Sequence, residues 1–228
     1  MTTKERTLII LRDYRAATKE LLIVALGDVG AKCMEKHLLQ LKQFGLVASH
    51  AYRGNAHIYY LTALGAETLG LDPKAYRRPP GEQSIAENLA IAAFCFLGQH
   101  RQSRIPRAEF RARFPQLDIG KVCASRYYVD RSDPNMTRLG ILVPEYSLSS
   151  KQLAHKVRKA YTGRADNSQA WHETFARDAA QITIITAVRS KAERVRQALR
   201  NDTSKFRAIT VVVPELLNLL TRRKKKPQ

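Results

Sequence analysis

The sequence predicts two domains of mixed structure: an α+β unit followed by an α/β unit with a mixed sheet. Three observations carry that expectation. The chain has 228 residues, more than one compact domain usually needs. A polar stretch at 73–84, PKAYRRPPGEQS, contains Pro79-Pro80-Gly81, which cannot continue a helix. Before that stretch, helical patterns lead into one hairpin; after it, strand-like runs are joined partly by helical ones. Hydrophobic residues make up 44%, enough for real cores. The expected division is 1–72, a linker at 73–83, a second domain at 84–221 and a basic tail at 222–228.

Each element of the first domain has a local reason. Residues 4–16 and 18–26 are helical by pattern, and Gly27 and Gly30 bracket a turn. A third helix runs from Ala31 to Phe44 and stops near Gly45. LVASHAYRGNAHIYYLT at 46–62 reads as two short strands around Arg53-Gly54-Asn55. A further helix, Ala63–Leu69, closes the unit. Three helices and a hairpin at this length predict a winged helix-turn-helix.

Beyond the linker, Ser84 and Glu87 match a capping box, and Ile85, Leu89, Ala92 and Phe96 recur on one face. VCASRYYVD (122–130) and TRLGILVPEY (137–146) are strand-like around the turn Ser132-Asp133-Pro134-Asn135. A helix starts after Ser149 or Ser150, with Leu153, Val157 and Tyr161 on one face. Then come a strand (182–188), a helix opened by Ser190-x-x-Glu193, a strand (207–213) and a short helix after Pro214.

The formal charge of +19 bounds the function. Twelve basic and seven acidic residues precede position 81; 27 basic and 13 acidic follow it, five of the basic ones in Arg222–Lys226. A field of that sign attracts polyanions, and nucleic acid is the commonest inside cells. Apolar runs such as LLIVAL (21–26) are too short to span a bilayer, and MTTKERTLII lacks the features of a secretory signal. A cytoplasmic, nucleoid-associated protein without a membrane partner is expected. Cys33, Cys95 and Cys123 are dispersed and odd in number, and the six histidines lack metal-ligand spacing, so no metal or cofactor is expected.

The third helix carries the clearest candidate site. Met34, Leu38 and Leu41 share an inward face, while Lys32, Lys36, Gln40 and Gln43 fall opposite. Lysine on such a face contacts guanine or phosphate, and glutamine pairs with an adenine edge. Arg53 and Asn55 at the hairpin tip are expected wing contacts to phosphate or the minor groove. The bland alternative is a solvated helix face, or a dimerisation module.

The second candidate lies in RLGILVPEYSLSSKQLAHKVRKAY (138–161), where an apolar run ends on Glu145 and a basic helix follows. An Mg²⁺-dependent nuclease could use Asp130, Asp133 and Glu145 as ligands, with Lys151 reaching in from the helix. Ser147 stands where such a site needs its lysine. The simpler expectation is that Glu145 favours a helix start, that Asp130 and Asp133 build a turn, and that Lys151, Lys156, Arg158 and Lys159 hold a phosphate backbone.

The layout, with IYYLTALGAETLG (58–70) and ILVPEYSLSSKQLAHKVRKAY (141–161), resembles the replication-relaxation family of plasmid and integrative-element proteins. The resemblance implies a winged helix followed by a degenerate, inactive domain of restriction-endonuclease-like fold. It also implies links to plasmid replication, DNA relaxation and mobilisation. With the winged helix and the charge, the expectation is a sequence-specific binder of double-stranded DNA that controls transcription, replication or transfer, with a homodimer as one form it could take. Family strands often carry acidic residues on both sides of the glutamate; here Tyr146 and Ser147 follow it, which argues against catalysis. An RNA-binding factor is a further alternative, with Tyr127-Tyr128 as the pair that would stack on bases.

Overall fold

A computed structural model describes residues 1–52, 56–98, 102–120, 126–133, 135–145, 148–202 and 205–220. The fold is mixed, with one three-stranded and one five-stranded sheet. The chain separates into two compact units, 1–97 with 215–228, and 98–214.

The first unit begins with α1 (Thr3–Tyr14), opened by a reciprocal capping box between Thr2 and Glu5. Strand β1 (Ala17–Thr18) leads into α2 (Lys19–Leu26), whose N-cap is Thr18. Gly27, at φ 76°, ends α2 in the left-handed conformation that glycine adopts without steric cost. After a short turn comes α3 (Ala31–Gln43), and then strands β2 (Val47–Tyr52) and β3 (Ala56–Leu61). The sheet order is β1-β3-β2, antiparallel throughout. Helix α4 (Ala63–Thr68) follows, as expected. Strand β1 was not anticipated; two residues are too few for a periodic signal.

The expected boundary is displaced. Helix α5 (Glu82–Leu97) belongs to the first unit, where it packs on α1, α2, β1 and α10 (Glu215–Leu220). The physical reason is burial on every side: all residues from Ile85 to Cys95 are buried, most of them apolar, with Glu87 and Asn88 among them. A helix of that kind needs cover on all sides, and the Pro-rich break before it does not set a domain border. The Ser84–Glu87 capping box is also corrected. The helix starts at Glu82, so Ser84 lies within it and accepts a hydrogen bond from Asn88 Nδ2 at 3.1 Å.

The second unit holds β4 (Arg104–Ile105), α6 (Arg107–Arg113), β5 (Tyr127–Asp133), β6 (Met136–Pro144), α7 (Ser150–Ala165), α8 (Gln169–Ala176), β7 (Ala180–Thr186), α9 (Arg189–Ala198) and β8 (Arg207–Val212). Its sheet runs β4-β5-β6-β7-β8, antiparallel up to β6 and parallel from β6 to β8. The expected strands at 122–130 and 137–146 are shifted in their bounds, and residues 121–125 lie outside the described ones. Ser190 does not open α9: the N-cap is Val188, without a side-chain hydrogen bond.

One face of this sheet, with Leu139, Ile141, Val143, Ile182 and Ile184, joins a core with Leu153, Val157, Trp171 and Val195 from the helices. Tyr127 stacks on Phe110 with ring centres 4.0 Å apart, and Trp171 Nε1 donates to Leu117 O at 2.7 Å. The other face carries buried polar groups. Tyr128, Gly140 and Gln181 are register partners across β5, β6 and β7. Tyr128 lies flat across Gly140, where an added Cβ would stand 1.9 Å from its ring. From there its hydroxyl reaches Thr183 Oγ1 at 2.6 Å and accepts from Gln181 Nε2 at 2.8 Å.

Candidate nucleic-acid interface

Helix α3 is held from two sides. Met34, Leu38 and Leu41 are buried at 0–2% exposure and fix the inner face. The turn before α3 is tied to α1: Arg6 donates to Asp28 Oδ2 at 2.7 Å and to Leu26 O at 2.8 Å. The Arg6 hydrogen bond holds the Asp28 carboxyl below its ordinary range. Lys19 of α2 hydrogen-bonds Glu35 of α3, lowering the Glu35 carboxyl and raising the lysine. The one acidic side chain of α3 is thereby matched by a cation.

The outer face is exposed. Lys32, Lys36 and Gln43 are all exposed, while Gln40 is half-buried. At 100° per residue, Leu39, Lys32, Gln43 and Lys36 fall within about 60° of arc, with Gln40 at the margin. Leu39, 56% exposed, was missed by sequence reasoning that looked for polar contacts. Its position on the helical wheel was the available signal. The proposed wing residues Arg53 and Asn55 lie outside the described residues. Of their neighbours, Tyr52 is buried, and His50 meets Tyr60 edge-on at 5.6 Å.

In the second unit, the carboxylates of the nuclease alternative do not converge. Asp130 pairs with Arg138 near the start of β6. Glu145 follows the far end of β6, where its N–H still donates to Ile185 O at 2.8 Å. Seven residues separate position 138 from 145, roughly 23 Å of strand at about 3.3 Å per residue. The side-chain alternation also puts them on opposite faces. Asp130 shares a face with Gln181, whose amide donates to it, whereas Glu145 meets Thr186 and Lys191 on the helix-covered side. Asp133 lies beyond Asp130, where it accepts from Arg138 and from the Asn135 N–H. Both aspartates are thus tied into the strand connection. Residues 119–129 contain no Asp or Glu that could stand beside Glu145 instead. Among the described residues, no three His, Cys, Asp or Glu side chains gather as a metal site needs.

Glu145 has a partner that the sequence did not disclose. Lys191 Nζ lies 2.6 Å from Glu145 Oε1, and Thr186 Oγ1 is 3.3 Å from Oε2. Lys191 is 46 residues away in sequence, so no local motif reveals the pair. Lys151 is exposed on the first turn of α7, within the Ser149–Gln152 capping box; Tyr146 and Ser147 lie outside the described residues. Of the expected phosphate contacts on α7, Lys159 is exposed and Lys156 half-buried. Arg158 is engaged elsewhere: it pairs with Asp202 at 3.0 Å and donates to Ala198 O at 2.7 Å. It clamps α7 to the end of α9. At the C-terminal ends of β7 and β8, Ala187, Arg189, Glu193, Arg196, Val212 and Pro214 line a cleft of about 560 Å³.

In comparisons with known proteins, the chain matches no family model, no curated protein and no solved structure. The likeness to the replication-relaxation family therefore rests on the sequence layout alone. Among the described residues, no helix is long and apolar enough to cross a membrane. The tyrosine pair of the RNA alternative is no stacking platform. Tyr127 and Tyr128 are each 1% exposed; Tyr127 accepts from Arg164 at 3.0 Å, and Tyr128 bonds to Thr183 and Gln181.

Proposed function

We propose that the first unit is a winged helix-turn-helix, and that the chain binds double-stranded DNA with α3 in the major groove. The observation that carries this reading is the exposed stripe of Lys32, Lys36, Leu39 and Gln43 behind a fully buried inner face. The element order supports it: α2, a tight turn, α3 and an antiparallel hairpin. The formal charge of +19 supports a polyanionic partner. In the second unit, Lys151 and Arg189 stand in the first turns of α7 and α9, where helix dipoles disfavour cations. A phosphate backbone offsets that repulsion. The second unit is then a nuclease-like scaffold that adds backbone contacts without chemistry. The resemblance extends the reading to a bacterial mobile-element protein that controls transcription, replication or transfer.

Fluorescence anisotropy of the full chain against duplex DNA, single-stranded DNA and RNA of equal length tests the reading. Tightest binding to duplex is expected. Preference for RNA or single strands overturns it.

A further inference from the structure

We infer that Leu39 reads the C5-methyl group of thymine, an inference that rests on the placement of α3 proposed above. Leu39, 56% exposed, stands at the edge of the basic stripe of α3 and outside the buried inner face formed by Met34, Leu38 and Leu41. Phe44, also exposed, has local company: Lys4 Nζ lies 5.7 Å from its ring centre. Leu39 is flanked by Lys32, Lys36 and Gln43 on one side and by Glu35, whose charge Lys19 matches, on the other.

The partner must then be anionic around an apolar point. The major groove of duplex DNA offers one apolar group at the base edges, the thymine methyl, within a frame of phosphates. Gln43 stands one turn beyond Leu39 on the same stripe and is suited to an adenine edge. A leucine and a glutamine one turn apart fit A·T pairs, with the lysines taking guanine or phosphate. A second copy of the chain meeting this face about a two-fold axis would bring Lys32 and Lys36 towards their own counterparts, which like-charge repulsion opposes.

The test starts from the duplex selected by the full chain out of a random pool. Each thymine in it is replaced in turn by deoxyuridine, which removes only the methyl group. At one or more positions, the wild-type chain is expected to lose about fourfold in affinity, the worth of one buried methyl. Leu39→Ala is expected to bind the thymine and uracil duplexes equally there, so the cycle isolates the contact. Equal wild-type binding to both duplexes at every position, with sequence preference intact, overturns the inference and leaves DNA reading in place. Undiminished methyl sensitivity in Leu39→Ala also overturns it. A chain that selects no duplex sequence at all fails both this inference and the proposed function. The uracil series on the wild type needs no variant, so the test does not depend on how Leu39→Ala folds.

Discussion

Asp130 and Glu145 stand at opposite ends and on opposite faces of the five-stranded sheet. A metal-activated water needs oxygen ligands on one ion, which this separation forbids. Purified protein with Mg²⁺ or Mn²⁺ is therefore expected to leave supercoiled plasmid intact. Nicking by the wild type that Glu145→Ala abolishes would contradict this.

Glu145 instead serves the fold through Lys191. The carboxylate side chain is 8% exposed and the lysine 20%. Lys191→Ala leaves a buried carboxylate without its cation, and the expected loss is about 3 kcal/mol of stability. The double variant Lys191→Met with Glu145→Leu should recover most of it, because two apolar groups leave no charge stranded. Denaturant unfolding of the single and double variants measures the difference. Duplex affinity of the folded Lys191→Ala protein should stay within about twofold of wild type, since neither residue is proposed to touch DNA.

Tyr128 and Gly140 form a second structural unit. Gly140→Ala puts a methyl into the tyrosine ring, and overpacking of this kind costs about 1–3 kcal/mol. Tyr128→Phe keeps the ring but strips a partner from Thr183 and Gln181, at about 1–2 kcal/mol. Thermal unfolding should show both losses. A Gly140→Ala protein as stable as wild type would mean that the ring does not lie over β6.

Acid should weaken the second unit. Burial pushes the Asp130 carboxyl up, but hydrogen bonds from Ser132, Gln181 and Gln102 outweigh it and leave it below the ordinary aspartate range. Asp133 is lowered too, first by the Asn135 N–H and then by Arg138. A carboxyl lowered by folding contributes stability above its unfolded value. That contribution is lost as the pH falls through the lower folded value. Between about pH 5 and about pH 2, wild type should lose stability faster than Asp130→Asn. Parallel acid profiles would show that Asp130 is not held in this way.

The helices and hairpin between Thr3 and Thr68 were largely legible in the sequence, because their signals are local. Met34, Leu38 and Leu41 recur at helical spacing, and Gly27 and Gly45 mark the helix ends. What escaped depends on distance along the chain. Lys191 finds Glu145 only once α9 follows the parallel strand β7. Arg158 looked free for phosphate until Asp202 reached it across 44 residues. Asp130 and Glu145 looked like neighbours because each closes an apolar run. The antiparallel turn between β5 and β6 sends those run ends in opposite directions. The Pro79-Pro80-Gly81 break suggested a domain border, but α5, buried on every side and mostly apolar, packs on the helices before that break.

Phosphate contacts leave a signature in salt. With about six to ten of them, log K against log salt should fall with a slope of roughly −5 to −9. Lys151→Ala with Lys159→Ala should make that slope shallower by roughly 2 while sequence preference is kept. A flat salt response would remove phosphate from the account.

If the exposed face of α3 reads base sequence, selection from a random duplex pool, run side by side with wild type, Lys36→Ala and Gln43→Ala, will show it. A defined consensus is expected for wild type. In each variant, preference should relax at one or two adjacent base pairs, by a factor of roughly 5 to 150 per lost bidentate contact. Identical consensus and affinity for all three proteins would contradict it, and would leave α3 as a solvated face.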